Sequence, residues 1–400
     1  MTASSYRPGT RAVHAGMSRD FPDFHPSGVP LYPSSSFYYD DPETLDEVLG
    51  GERKGYVYSR YANPTTTALE EAVAALEEAE TAVAYGSGMA ALHAALLAAG
   101  ASTGRTVVAA QDLYGATRSL LTTVLGGQGV RTVYVDATDA SAVRSTLAQH
   151  TPVVLIVETM SNPLLKVADI AVLADLAHQR GAVLIVDNTF ASPALCQPLR
   201  LGADYVVHSM TKYLSGHGDS TGGAVACSAA RRADLEHVLR LVGGVLSPFE
   251  AWLTLRGIRT LHLRMRQHWH NAGVLATWLV EQPQVTCVHF PGLSGHPQHD
   301  LATRLFGEGR YGAVIAFELR GAGKSKVFDW MRALKIVLPA TTLGDVASEV
   351  LYPAMSSHRA MLPEQRQAIG ISDGLIRLAV GIEDVEDIKA DLCRAFLAVS

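Results

Sequence analysis

The chain has 400 residues, 48% of them hydrophobic and 18% charged, and a formal net charge of −6 at pH 7. That balance describes a globular protein of one large and one smaller domain with ample interior for a core. It excludes a binder of nucleic-acid phosphates, which would carry a basic face. No run approaches the ~18 uninterrupted apolar residues of a membrane span, and MTASSYRPGTRAVHAG lacks the apolar segment of a signal peptide. Cys196, Cys227, Cys287 and Cys393 are scattered without CxxC spacing. Neither a zinc site nor a disulfide framework is expected from them, and the location expected is cytoplasmic.

Residues 1–57, rich in Pro, Ser and Tyr, lack clear periodicity and read as an arm lying on another surface, such as a neighbouring subunit. Tyr58-Ser59-Arg60 and the helix-start signal Asn63-Pro64-Thr65 follow. They lead into a helix over Thr67–Glu80 with Leu69, Val73 and Leu76 on one face. Apolar runs then occur at Thr81–Tyr85, Thr106–Ala110, Arg131–Val135, Val153–Glu158, Ala182–Asp187 and Asp204–His208. Helical patterns at Met89–Ala99, Ala140–His150 and Ile170–Arg180 lie between them. Continuous Val/Ile/Leu strands separated by helices predict a mainly parallel sheet covered on both faces. Ligands bind such sheets at the carboxyl ends of the strands, where Glu158, Asp187 and the Ser209–Lys212 group lie. Beyond Arg256 the texture changes. A long helical pattern, Pro248–Trp278, leads to a strand-like Gly312–Leu319 and to helices near Ser325–Leu334 and Val385–Val399. This reads as a large domain over 58–256 joined through the long helix to a small α+β domain over 257–400.

Three stretches carry chemistry. Gly86-Ser87-Gly88-Met89-Ala90-Ala91 joins a strand to a helix, where the backbone can close on an anion and unpaired N–H groups face it. A phosphate cradle, a dinucleotide site with Asp112 as ribose acid, and a plain tight turn all stay open for it. Asp187 ends a strand; it either caps the next turn or, in a low-dielectric cleft, keeps a heterocyclic nitrogen protonated. Lys212 follows the apolar YVVHS, which argues against a solvated surface lysine. Ser209-Met210-Thr211-Lys212 matches the S-x-x-K of serine acyl-transfer enzymes, but S-D-N and K-T-G do not accompany it. A Schiff-base amine accounts for more of the chain. With Asp187, a cradle at Gly86–Met89 and the Ser209 and Thr211 hydroxyls, it describes a pyridoxal 5'-phosphate site.

Further motifs are Tyr58-Ser-Arg60 with NPT, Leu113-Tyr114-Gly115, Glu158 with Ser161-Asn162-Pro163, and Val186-Asp187-Asn188-Thr189. SPFEAWLTLRGIRTL and Gly374-Leu-Ile-Arg377-Leu complete the set. By these the chain resembles, nearly end to end, the pyridoxal phosphate enzymes of cysteine and methionine metabolism. That group contains cystathionine γ-synthase, cystathionine γ-lyase, methionine γ-lyase and the O-acylhomoserine sulfhydrylases. The resemblance implies an α/β fold of the aspartate aminotransferase-like type I, with a mainly parallel seven-stranded sheet and a smaller C-terminal α+β domain. It implies that Lys212 carries the internal aldimine and moves protons, and that Asp187 pairs with the pyridinium nitrogen. Tyr114 would stack on the ring and act as acid/base, while Gly88, Met89, Ser209 and Thr211 bind the phosphate. Tyr58 and Arg60 would reach the phosphate of a neighbouring subunit, in a homotetramer built as a dimer of active dimers. Arg377, with Asn162 and Thr342, would receive the α-carboxylate of an amino-acid substrate, a task that suits a planar guanidinium. The pairs His268/His270 and His296/His299 form no metal pattern and read as surface or packing residues.

Three departures bear on the substrate. Val57 stands where cystathionine-handling relatives carry an acid, Ser119 where they carry arginine, and Thr341 where they carry glutamate. A pocket so neutralised suits a shorter or more apolar γ-substituent, because a distal ammonium and carboxylate would be buried without partners. Ala116 replaces the cysteine usual in methionine γ-lyases, and Tyr352 and Ser357 replace a His and a Thr of the family pattern. The expected activity is methionine γ-lyase-like γ-elimination on a sulfur-containing amino acid, through a quinonoid and a vinylglycine-type intermediate. The alternatives are γ-replacement on an O-acylhomoserine, by a sulfhydrylase or a cystathionine γ-synthase-like enzyme, and cystathionine γ-lyase chemistry. The glycines of GHGDSTGG read as room for cofactor and substrate.

Overall fold

The computed structural model describes residues 6–17, 25–359 and 361–399. Parts of the arm expected over 1–57, namely residues 1–5 and 18–24, lie outside the described residues. The strands of the first sheet are β1 (Thr81–Tyr85), β2 (Thr106–Ala110), β3 (Arg131–Val135), β4 (Val154–Glu158), β5 (Val183–Asp187), β6 (Tyr205–Ser209) and β7 (Gly223–Cys227). They lie in the order β1-β7-β6-β5-β4-β2-β3, and only β7 runs against its neighbours. The six apolar runs thus form the strands expected of them, within a residue at each end. Their continuous hydrophobicity has a plain cause: helices cover both faces, and Val154, Leu155, Ile156, Leu184, Ile185 and Tyr205 are fully buried.

β7 escaped the sequence reading because its residues are small (GAVAC) and its approach is rich in glycine. Those glycines are not left open for a ligand. A Cβ on Gly223 would stand 2.1 Å from the Ser87 carbonyl oxygen, so this glycine lets two backbones meet. The first long helix spans Pro64–Glu77 rather than Thr67–Glu80. Asn63 caps it by accepting from the Thr65 N–H at 2.9 Å, with Pro64 in the first turn. Its end is set by Glu78 in the left-handed region (φ 55°).

The expected long helix is two, Pro248–Ile258 and Leu261–Val280. At the break the Gly257 carbonyl accepts from Arg264 Nη2 at 2.8 Å and from the Thr260 N–H at 3.1 Å, which closes the first helix. The second helix serves two cores. Leu261, Met265 and Trp269 pack beside the first sheet, whereas Ala272, Leu275, Ala276 and Leu279 pack beside the second.

That second sheet has five strands: β8 (Val285–His289), β9 (Val314–Leu319), β10 (Leu338–Pro339), β11 (Glu349–Leu351) and β12 (Leu375–Ala379). Their order is β10-β11-β12-β9-β8. The N-terminal region holds two short helices, Pro8–His14 and Pro42–Gly50, which its weak periodicity concealed. The first docks on this chain's own helices, with Arg11 Nη2 2.7 Å from Glu78 Oε1. Among the described residues, no helix is long and apolar enough to cross a membrane.

Candidate active site

The carboxyl ends of β4, β5 and β6 open onto a cavity of about 240 Å³. In-register pairing sets Glu158 beside Asp187 and Asp187 beside Val207, so two carboxyls and the turn that follows β6 share one rim. Asp187 Oδ1 accepts from the Thr189 N–H at 2.9 Å, and Thr189 Oγ1 accepts from the Ser209 N–H at 2.9 Å. These two bonds lock the ends of β5 and β6 together. Burial raises the Asp187 carboxyl above its ordinary range, opposed by the Thr189 hydrogen bonds and the His208 charge. A cationic group in the cavity would offset that desolvation. Behind it, His208 Nε2 lies 2.5 Å from Glu77 Oε1, which also accepts from Asn188 Nδ2 at 2.9 Å.

Glu158 sits deeper than its strand-end position suggested. Burial, then the Asp187 charge, raises its carboxyl well above the usual range. Its Oε1 accepts from the Tyr114 N–H at 2.6 Å and its Oε2 from the Asn162 N–H at 3.2 Å. One carboxyl therefore fixes the backbone under both Tyr114 and Asn162.

On the opposite wall the helix Gly88–Ala98 begins. Ser87 Oγ accepts from the Ala90 N–H at 3.1 Å, and Gly88 and Met89, whose amides have no partner within a helix's first turn, line the cavity. A Cβ on residue 88 would stand 2.7 Å from Ser209 Cβ, so only glycine lets the helix start approach that serine. Thr211 Oγ1 accepts from the Gly222 N–H at 3.1 Å and holds its hydroxyl beside the same corner.

Lys212 Nζ donates to Thr342 Oγ1 at 2.6 Å. Burial lowers its proton affinity and the Arg377 charge lowers it further, against an opposing pull from Glu349. Arg377 is 3% exposed; it donates to Asn162 Oδ1 at 3.2 Å and to the Thr342 carbonyl at 2.8 Å. Its Nε is buried with no partner, and burial pulls the guanidinium down to about 10. Tyr114 stands at the mouth, 42% exposed. Leu92, Met160, Phe190 and Leu343 form the apolar wall, with Thr117, Thr221 and Thr341 hydroxyls between them.

Tyr58 and Arg60 do not join this cavity within the chain. Arg60 Nη1 donates to the Arg240 carbonyl at 2.6 Å, and its guanidinium lies 4.9 Å from the Tyr61 ring, in a separate cleft shared with Val57. Ser119 bonds back to the Gly115 carbonyl at 3.1 Å. Neighbouring Arg118 turns away, donating to the Gln111 carbonyl at 2.7 Å with its guanidinium 4.0 Å from the Tyr134 ring centre. Asp112 is held 2.7 Å from Lys166 outside the cavity, which removes it as a ribose ligand. Ser209 ends a strand and opens no helix, so the S-x-x-K reading fails as well. His268 is a packing residue, its Nδ1 2.6 Å from the Val380 carbonyl.

The family profile described as Cys/Met metabolism PLP-dependent enzyme matches residues 9–397. The chain belongs to that family. It is 42% identical over 390 residues to an O-succinylhomoserine sulfhydrylase of Pseudomonas aeruginosa, covering 98% of this chain and 95% of that one. It is likewise 42% identical over 405 residues to an L-methionine gamma-lyase of Pseudomonas putida, covering all of both. A solved cystathionine gamma synthase from Xanthomonas oryzae pv. oryzae, in complex with aminoacrylate and cysteine, superposes with a TM-score of 0.90 at 39% identity. That match covers 98% of this chain and 99% of the other. The fold is thus pyridoxal phosphate type I, and the protein is a pyridoxal-phosphate-dependent lyase or transferase of cysteine and methionine metabolism.

The residues present fit that cofactor. A helix start at Gly88 and Met89 packs against Ser209 and lines the cavity with Thr211, and a desolvated carboxyl, Asp187, and a desolvated amine, Lys212, line it too. For a Cys/Met-metabolism enzyme, the sequence reading missed the link that Thr189 makes between β5 and β6 and the backbone grip of Glu158. Thr189 lay inside a quoted motif, two residues after an aspartate, where a local turn is the ordinary reading. Glu158 acts through backbone amides, which leave no side-chain signature.

Proposed function

We propose that this enzyme catalyses methionine γ-lyase-like γ-elimination on a sulfur-containing amino acid. One observation carries the reading: Thr342 joins the two cations, its hydroxyl accepting from Lys212 and its carbonyl from Arg377. That spacing suits a reactive amine at the α-carbon and a clamp on the α-carboxylate next to it. Pyridoxal phosphate, when bound, supplies an electron sink that acidifies the substrate Cα–H. The Gly88 and Met89 amides, with the Ser209 and Thr211 hydroxyls, would bind its phosphate, and Asp187 would pair with the ring nitrogen. Lys212 Nζ holds and moves the proton at Cα, and Tyr114 Oη serves as acid/base toward the leaving group. Arg377 Nη1, Nη2 and the free Nε, with Asn162 and Thr342, hold the carboxylate.

Besides Lys212 and Arg377, the charged groups on the cavity wall are Glu158 and Asp187. Among the described residues of this chain, the wall that a distal end would meet carries threonine hydroxyls and apolar side chains and no further charge, which supports an apolar thioether or a short ester over cystathionine. A panel with α-keto acid, thiol and amino-acid products quantified tests this. Methionine or an O-acylhomoserine should exceed cystathionine in kcat/KM by roughly tenfold or more, the cost of one unpartnered buried group. Comparable turnover of cystathionine sinks the preference. The second reading, γ-replacement on an O-acylhomoserine, is favoured by the identity to the sulfhydrylase. New amino-acid product on adding sulfide or a thiol would select it.

The reading includes large and small domains over 58–256 and 257–400, an N-terminal arm over 1–57, and a cytoplasmic homotetramer of two active dimers. Tyr58 and Arg60 of one subunit serve the phosphate corner of another. Mixing Arg60→Ala with Lys212→Ala subunits should then restore activity, about a quarter of wild type under random pairing into symmetric dimers. Activity no greater than the sum of the two parents would mean a site complete within one chain.

A further inference from the structure

Lys212 is a half-buried and Arg377 a buried cation, and their side-chain hydrogen bonds all go to neutral oxygens: the Thr342 hydroxyl, the Thr342 carbonyl and the Asn162 amide. Charge so placed is costly unless a carboxylate acts on it. Among the described residues, the carboxylate whose charge acts on both is that of Glu349. Glu349 opens β11 and is 5% exposed, and its Oε2 is buried without a hydrogen-bond partner. β11 runs antiparallel to β12, with Glu349 opposite Ala379 and Leu351 opposite Arg377. Two-residue alternation then puts Glu349 and Arg377 on one face of the sheet, diagonal to each other and within reach of long side chains. The groups that face Glu349 are Asp345 from the preceding loop, Lys212 and Tyr213 from the turn after β6, and Arg377. A carboxylate with an unsatisfied oxygen, held where two functional cations lack counter-ions, has no packing purpose that a leucine would not serve better.

We propose that Glu349 is a positioning residue: its carboxylate is the shared counter-charge that keeps Arg377 aimed at the substrate carboxylate and helps the Lys212 nitrogen keep its proton. This rests on the roles given to Lys212 and Arg377 above. Burial and Asp345 push the Glu349 carboxyl up to about 7, against Lys212 and Arg377, so it exchanges its proton in the working range. A substrate carboxylate arriving at Arg377 adds negative charge and draws a proton onto Glu349.

The test uses the cofactor-loaded enzyme and the pH dependence of its visible absorbance. Glu349→Gln, which keeps shape and removes charge, should move the spectral midpoint down by roughly one pH unit. Glu349→Asp, which restores the charge, should return it toward wild type. An unmoved midpoint in a folded, coloured Glu349→Gln protein overturns the proposal. Should that variant not fold, proton uptake by the wild-type enzyme on binding butanoate at pH 7, read with an indicator dye, decides. A substantial fraction of a proton per site supports the proposal, and no uptake overturns it. Failure of the underlying reading looks different, since Lys212→Ala would then keep the wild-type band and its titration.

Discussion

Lys212→Ala yields a folded protein without the visible band of a lysine-linked cofactor, and its turnover falls roughly 10³-fold or more. The fold survives because the lysine side chain makes one hydrogen bond, to Thr342. Its backbone bonds remain, from the Lys212 N–H to the Ser209 carbonyl at 3.2 Å and from the Gly216 N–H to the Lys212 carbonyl at 2.8 Å. Losing one side-chain bond costs about 1 kcal/mol, and removing a desolvated cation offsets part of that. The loss of activity is larger because one nitrogen both holds the cofactor and moves the substrate proton, and groups acting as a unit fail together. Proton transfer by a positioned side chain alone contributes about 10² to 10⁴ in rate. Circular dichroism with thermal melting, the absorbance spectrum and steady-state rates give the three readouts. Substantial turnover in the variant would remove Lys212 as the catalytic amine.

The parts of this site that a reader of the sequence can find are those attached to strand ends. Asp187 closes VLIVD, Lys212 follows YVVHS, and Gly88 opens a helix directly after TAVAY. Each sits at the carboxyl edge because a parallel sheet puts every such end on one side. Arg377 is different. It lies inside β12, 215 residues from its partner Asn162, and only the docking of the second sheet onto the first brings them together. Its assignment from sequence rested on resemblance alone. Glu349 was invisible for a related reason: its strand has three residues and no polar–apolar alternation to mark a buried acid as unusual. The same limit hid β7, whose small residues lack the Val/Ile/Leu signature, and the break at Arg259–Thr260, which depends on the Arg264 guanidinium.

Arg377→Ala should lower kcat/KM by roughly 30- to 5,000-fold, from the about 2 to 5 kcal/mol cost of truncating one member of a buried charge pair. Burial holds the guanidinium near 10, well below its ordinary value, so it is still a cation at neutral pH and available to a carboxylate. If the clamp binds ground and transition states alike, the loss appears in KM; if it also sets the Cα–H geometry, kcat falls with it. Arg377→Lys should recover little. An ammonium cannot donate to Asn162 Oδ1 and the Thr342 carbonyl while presenting a further planar N–H to substrate. An unchanged kcat/KM in Arg377→Ala would place the carboxylate elsewhere. A second readout ties this residue to Glu349. The Arg377 charge lowers the proton affinity of Lys212 and the Glu349 charge raises it. Arg377→Ala should therefore move the spectral midpoint of the loaded enzyme up in pH, whereas Glu349→Gln moves it down. Opposite shifts from two changes on one sheet face are what charge coupling requires, and simple loosening of the site would move both in the same direction.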